Sequence, residues 1–270
     1  MGNLSIFITS QSAKKDFVVS EVINNVIFDK HKNSIDFCEK SPFRLISTEI
    51  SSEMQSVFAK MDGNTVLIRD IIEITRGIEA GKSDKSINFN KNDYKLLRGE
   101  DLTKYTCSFV NLYCEYDKDN ISKFKPLELY FSDKILIRRV ANEVIGTFDT
   151  DKYLVLNSIY CGLQKDKNFD LKYVTGVLNS KQINFWFKNL FVLTDKLFPY
   201  LRKSQIEFIP IPVIPLSEQQ PIIDLVNQIL SAKQANPAAD TTELERKIDL
   251  LVYELYGLSE EEVKIIEGGK

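Results

Sequence analysis

The sequence predicts an α+β fold: a mostly antiparallel twisted sheet with a long aromatic helix, followed by a C-terminal antiparallel helix pair. Three observations predict it. Short β-rich runs separated by tight polar turns fill residues 134–160, the pattern of an antiparallel meander. An apolar stripe at helical spacing (Leu171, Val174, Val177, Leu178, Ile183, Trp186, Leu190) then runs through the aromatic residues Phe185, Phe187 and Phe191,. Past residue 216 two further stripes are joined by a single break, as in two helices that fold back on each other,.

The elements follow in order. Residues 4–9 and 17–23 are β-rich runs around a polar turn containing Lys14, Lys15 and Asp16, and predict a hairpin,. Residues 24–45 are polar and mixed, read as loop with a short strand; His31, in the run 29–33, falls on a surface turn. Met54, Val57, Phe58 and Met61 predict a short amphipathic helix over 51–61,. Residues 66–68 and 71–74 lead into a turn bracketed by Gly77 and Gly81, and the apolar-basic run 94–98 ends at Gly99. Strands are expected over 134–140, 144–148 and 153–160, with turns at 141–143 and 149–151.

The aromatic residues of the helix over 171–190 are expected in the core. Proline alternates with apolar residues over 207–215, which fits an edge strand or extended linker because proline cannot donate to a ladder,. Ser217 and Gln220 have the spacing of a capping box,. Ile222, Ile223, Val226, Ile229 and Leu230 form the first stripe of the tail, which breaks at residues 235–237. Asp240 and Glu243 begin the second helix, with Leu244, Ile248, Leu251, Val252 and Leu255 on one face. Gly257 ends it, and Ser259 with Glu262 opens a last short one,. The expected division is 1–62, a hairpin and linker helix; 63–215, the main domain; and 216–270, the helical tail.

Composition narrows the chemistry. With 270 residues, 43% hydrophobic and 27% charged, a disordered or collagen-like chain is excluded,. No apolar run reaches the roughly 18 residues of a membrane span,, and Lys14, Lys15 and Asp16 interrupt any signal-peptide core,. Four cysteines (Cys38, Cys107, Cys114, Cys161) without a C-x-x-C pair, and one histidine, argue against a zinc site and for free thiols in a reducing cytoplasm,. A single His31 also removes most imidazole-based catalysis,. Residues 77–83 read G-x-x-x-G-K-S, one residue short of a nucleotide phosphate loop and with no helix-forming run after them,. Glu-x-Lys pairs at Glu245/Lys247 and Glu262/Lys264 fall on amphipathic helices, where alternating charges are simply solvated. No catalytic residue, metal or cofactor is expected in this chain.

Net charge is −3, but it is unevenly spread. Residues 216–270 hold five basic and eleven acidic side chains, leaving 30 basic and 27 acidic over 1–215. The stretch 121–215 has 14 basic against 9 acidic. An acidic tail therefore accompanies a mildly basic body, suited to phosphates.

Four segments carry a family resemblance: Ile74-Thr75-Arg76-Gly77-Ile78-Glu79-Ala80-Gly81, Leu97-Arg98-Gly99-Glu100-Asp101-Leu102-Thr103-Lys104-Tyr105, the strands from Lys134-Ile135-Leu136-Ile137-Arg138-Arg139 through Asn157-Ser158-Ile159-Tyr160, and Ile209-Pro210-Ile211-Pro212 leading to Leu216-Ser217-Glu218-Gln219-Gln220. In this order, over residues 65–268, they resemble the TaqI-like target-recognition domain of adenine-specific DNA methyltransferases and fused restriction-modification enzymes. The fourth segment is similar to the strand-to-helix junction of Type I specificity subunits. Residues 1–30 look like the last strands of such a methyltransferase's catalytic domain, while the Asn-Pro-Pro-Tyr and S-adenosylmethionine-binding motifs are absent from the sequence. The chain is expected to be the C-terminal part of a longer enzyme, or else a separately encoded recognition subunit acting through its helical tail.

The resemblance implies a module that reads double-stranded DNA and places it against a catalytic domain, in cis or as a partner subunit, that uses S-adenosylmethionine and flips the target adenine. Lys82, Lys85 and Lys104 are then expected as phosphate contacts, and Arg76 and Arg98, each beside a glycine, as groove readers. Arg138 and Arg139 alternate on a strand, so at most one faces DNA. Asn157 is a candidate adenine reader. Lys196, Arg202 and Lys203 are expected to grip the backbone, with the acidic helix pair turned away from DNA. The setting is cytoplasmic, without membrane contact.

Overall fold

The computed structural model describes residues 16–23, 26–34, 50–81, 83–191 and 200–268. Contacts group the chain into two compact units, Asn64–Tyr256 and Met1–Gly63 with Gly257–Lys270. The stretch expected as a separate tail over 216–270 is therefore divided: its two long helices belong to the larger unit and its last helix to the smaller.

In the smaller unit, β1 (Asp16–Ile23) pairs antiparallel with β2 (Val26–Ser34). The strand expected at 17–23 is present, but its described partner is 26–34; the run 4–9 lies outside the described residues. His31 sits in β2, opposite Val19, rather than in a turn. The charged run 29–32 hides this strand from a reading based on hydrophobicity, because ladder hydrogen bonds do not depend on apolar side chains. Helix α1 (Ser52–Met61) forms as expected: Ser51 caps it by accepting from the Met54 N–H, and Val57, Phe58 and Met61 are buried. Lys60 binds Glu262 at 2.5 Å and donates to the Gly257 carbonyl at 2.6 Å, and Ser56 donates to Glu262 at 2.8 Å. Glu262 belongs to α9 (Glu260–Ile266), whose Ser259/Glu262 capping box is formed.

The larger unit is α+β. It begins with β3 (Thr65–Leu67), the one-turn helix α2 (Ile68–Ile71) and β4 (Ile72–Arg76). Its central sheet has the order β11-β10-β13-β4, from β10 (Lys134–Arg138), β11 (Gly146–Asp149) and β13 (Ile159–Gln164), all antiparallel. A second four-stranded sheet comprises β5 (Ile87–Asn88), β6 (Tyr94–Leu97), β9 (Tyr113–Cys114) and β12 (Leu154–Val155). Between β6 and β9, β7 (Leu102–Thr103) pairs with β8 (Thr106–Cys107). Helix α3 (Leu127–Phe131) precedes β10.

The third meander strand, expected over 153–160, is two strands. Residues 154–155 run parallel to β6 in the second sheet, while the strand that pairs with β10 begins at Ile159 and continues to Gln164. The turn at 156–158 is held by Leu156 N–H to the Leu97 carbonyl and by Asn157 N–H to the Ile78 carbonyl, both near 3 Å.

The long aromatic helix is also two elements, α4 (Leu171–Asn179) and α5 (Lys181–Leu190). Ser180 takes an extended conformation between them; its hydroxyl donates to the Val177 carbonyl at 2.7 Å and accepts from the Ile183 N–H at 3.3 Å. The periodicity continues across the break, so spacing alone does not reveal it. Buried Asn179 exchanges two 2.8 Å hydrogen bonds with the Gly146 backbone, and Asn184 accepts from the Val144 N–H at 2.7 Å. Trp186, Phe187 and Phe191 are buried, as expected of core aromatics.

After α6 (Lys203–Ile206), β14 (Pro210–Pro212) pairs with β3 alone, which suits its prolines,. Helix α7 (Leu216–Ala235) begins after Pro215, and the Ser217/Gln220 box does not form. Gln219 is buried instead: it accepts from Asp170 N–H at 2.9 Å and donates to the Asn168 carbonyl at 2.7 Å. With α8 (Thr242–Leu255), α7 packs on α4 through buried Ile222, Val226 and Ile248. A Cβ on Gly176 would stand 2.5 Å from Ile222 and 3.2 Å from Val226. Gly176→Ala therefore overfills this contact and is expected to lower stability by about 1–3 kcal/mol in urea titration. A loss much under 1 kcal/mol would mean that the helices separate freely.

Candidate nucleic-acid interface

Four of the basic residues singled out from the sequence meet in one concavity of about 340 Å³ in the larger unit, lined by Arg76, Arg139, Tyr160, Tyr200, Leu201, Arg202, Lys203 and Ser204. Strand pairing explains the meeting. Tyr160 on β13 lies directly opposite Arg76 on β4 and opposite Ile137 on β10. Arg139 follows β10, and residues 200–202 are joined to it by a Val140–Tyr200 bridge and by Leu201 N–H to the Arg139 carbonyl at 2.8 Å. The Tyr160 hydroxyl donates to the Leu201 carbonyl at 3.1 Å. Arg202 and Lys203 project, exposed, at the start of α6. The Arg139 guanidinium lies over the Tyr200 ring, 5.1 Å from its centroid, and donates to the Asn157 carbonyl at 3.2 Å. Tyr200 is 46% exposed, so cation and aromatic face are presented together.

The two glycines beside Arg76 and Arg98 have internal roles. A Cβ on Gly77 would lie 2.2 Å from the Val155 carbonyl oxygen, and one on Gly99 would lie 2.9 Å from that of Ser158. They let chain segments close on the 155–158 turn rather than opening a path to an external groove. Gly77 N–H donates to the Ile159 carbonyl at 3.1 Å and Ile78 N–H to the Val155 carbonyl at 2.7 Å. This brings Glu79 to Asn157: its carboxylate accepts from Asn157 Nδ2 at 2.8 Å and from Arg76 Nη1 at 3.0 Å.

Other candidates are placed elsewhere or are occupied. Arg98 lies outside the concavity, its guanidinium taken by Asp101 (2.8 and 3.1 Å) and Glu100 (2.7 Å), so it braces the 98–101 turn. Arg138 donates to the Val140 carbonyl at 2.9 Å and to the Leu102 carbonyl at 3.3 Å; of the adjacent arginines, Arg139 is the one at the concavity. Lys104 stands 3.5 Å from Glu143. Lys85 is exposed on a turn. Lys203, in the concavity, also lies 3.5 Å from Glu207. Lys82 and Lys196 fall outside the described residues. Sequence reading missed Tyr200, although an aromatic two residues before the basic pair 202–203 is a readable signal. It also missed the pairing of Glu79, which depends on a contact between positions far apart in the chain.

Among the described residues no group of three or more His, Cys, Asp or Glu side chains is placed to hold a metal ion, and no helix is long and apolar enough to cross a membrane.

Residues 94–211 match the family described as the TaqI-like C-terminal specificity domain. No curated protein sequence matches the chain. Among solved structures, the Type IIL restriction-modification enzyme MmeI in complex with DNA is similar with a TM-score of 0.53 at 12% identity, over 77% of this chain and 37% of that one. The type IIG restriction endonuclease BpuSI gives 0.49 at 14% identity, over 85% and 36%. The HsdS subunit from Thermoanaerobacter tengcongensis gives 0.43 at 15% identity, over 76% and 50%. The chain thus spans half or less of the length of these structures.

Proposed function

We propose, from the match of residues 94–211 to the TaqI-like C-terminal specificity domain, that the protein reads the sequence of double-stranded DNA within a restriction-modification system. It presents the duplex to an adenine methyltransferase catalytic domain, supplied in cis or as a partner subunit, where S-adenosylmethionine binds. The observation that carries this reading is the concavity that gathers Arg76, Arg139, Arg202 and Lys203 around Tyr200. Planar guanidiniums suit phosphates and guanine edges alike, and an aromatic face with a cation above it suits a base or sugar. Arg202 and Lys203 fit as phosphate positioners; Arg76, Arg139 and Asn157, held by the sheet and the 155–158 turn, fit as readers.

Fluorescence anisotropy with a random-sequence duplex at increasing salt tests this. Each phosphate contact contributes about 0.9 to the slope of log affinity against log salt. Arg202→Ala with Lys203→Ala is expected to reduce the slope by about two and to weaken binding for all sequences alike. Absence of duplex binding at low salt, or unchanged binding in the double variant, would overturn the assignment.

A further inference from the structure

We propose that Glu79 is a positioning residue for sequence readout, one that fixes the Asn157 amide against the Arg76 guanidinium and keeps phosphates from binding this edge of the concavity indiscriminately. The inference rests on the DNA-reading function proposed above and extends it to a residue of the opposite charge.

A carboxylate beside a cluster of cations weakens the attraction of any polyanion. Here it sits at the centre of a hydrogen-bonded chain. One carboxylate oxygen takes Arg76 Nη1 at 3.0 Å and the other takes Asn157 Nδ2 at 2.8 Å. The Asn157 backbone carbonyl takes Arg139 Nη1 at 3.2 Å, and Arg139 covers Tyr200. The backbone holds Glu79 in place from two sides. Ile78 bridges Leu156 in parallel, Asn157 N–H donates to the Ile78 carbonyl at 2.9 Å, and Glu79 N–H donates to the Lys123 carbonyl at 3.2 Å.

The bond to Glu79 uses one of the two Asn157 amide hydrogens, so the amide keeps a second donor as well as its oxygen. That donor and acceptor are the pair a bidentate adenine contact requires. Fixing the amide plane removes the freedom that would otherwise let it bind any base edge. The Arg76–Glu79 pair is 42% and 39% exposed and contributes little to folding, so its loss leaves a folded chain.

Glu79→Gln removes the charge and leaves one carbonyl oxygen where Arg76 and Asn157 each had their own, so the bridge between them cannot be kept,. In the 270-residue chain, affinity for a random-sequence duplex is expected to rise about two- to fivefold, the size of one exposed charge contact. In selection from a randomised duplex pool, sequence enrichment is expected to fall about tenfold, the low end of the discrimination given by one bidentate base contact. Asn157→Ala is expected to lose the same enrichment. Unaltered enrichment in Glu79→Gln, with the wild type binding and selecting, would overturn the role of Glu79 and leave the DNA-reading function standing. A wild type that binds no duplex overturns both.

Discussion

Replacing Lys134 with Met is expected to destabilise the larger unit by about 3–5 kcal/mol, the cost of leaving a buried charge without its partner. Lys134 is fully buried and Asp149 is 1% exposed, with Nζ 2.6 Å from the carboxylate. Lys134 also donates to the Tyr130 carbonyl. Asp149 cannot simply turn to solvent, because it accepts from the Asp151 N–H at 2.9 Å and the Tyr153 N–H at 3.3 Å. Burial pushes the Asp149 carboxyl up, and Lys134 offsets only part of that push. Without Lys134 it rises further.

A carboxyl with a raised folded pKa contributes most stability below its unfolded value, near pH 4, and loses it as pH climbs through the folded value. The deficit of Lys134→Met should therefore be smallest in acid and grow toward neutral pH. Lys134→Met combined with Asp149→Asn should regain part of the loss, since the buried charge is gone and the amide oxygen still accepts one of the two turn N–H bonds. Urea titrations of the three proteins across pH check this. A deficit independent of pH would mean that lost packing, not the unpaired charge, is responsible.

Gly77→Ala is expected to cost about 3 kcal/mol, the upper end for overfilling a closed contact, and to abolish sequence enrichment in a duplex selection. The added methyl would stand 2.2 Å from one backbone oxygen, of Val155, and 2.5 Å from another, of Leu156. Neither obstacle is a flexible side-chain end, so the 77–79 segment must lift from the 155–158 turn. Glu79 then leaves Asn157, and Arg76 leaves its place opposite Tyr160. Gly81→Ala is the control: nothing lies within 4 Å of its Cβ position, so stability and selection should stay near the wild type. A thermal melt and a binding selection on both variants decide it. Gly77→Ala melting with the wild type would show that the turn has room the packing denies.

Elements whose signal is local were legible. The α1 helix, the helix opened by Ser259 and Glu262, and the burial of Trp186 and Phe187 all follow from spacing within one turn or two. Of the segments that carry the family resemblance, 97–105 and 134–160 lie within residues 94–211, which match the TaqI-like specificity domain. Elements decided by a distant partner were misread. The stripe over 171–190 gives no hint of a break at Ser180, which lets Asn179 and Asn184 reach the backbone of residues 144–146. A Ser-x-x-Gln spacing reads as a capping box, yet Gln219 is drawn inward by Asn168 and Asp170.

By itself the sequence determined an α+β chain with a mildly basic body, an acidic end, and arginines beside glycines at two turns. Only the tertiary structure decided which arginines are available. Arg98 is held by the carboxylates of its own turn and Arg138 by backbone carbonyls, whereas Arg76 and Arg139 come to one concavity because β13 lies between their strands. A side chain's charge is a property of the residue, but the meeting of Arg76 and Arg139 is set by strand pairing, in which Tyr160 lies opposite both Arg76 and Ile137, and no local pattern encodes that.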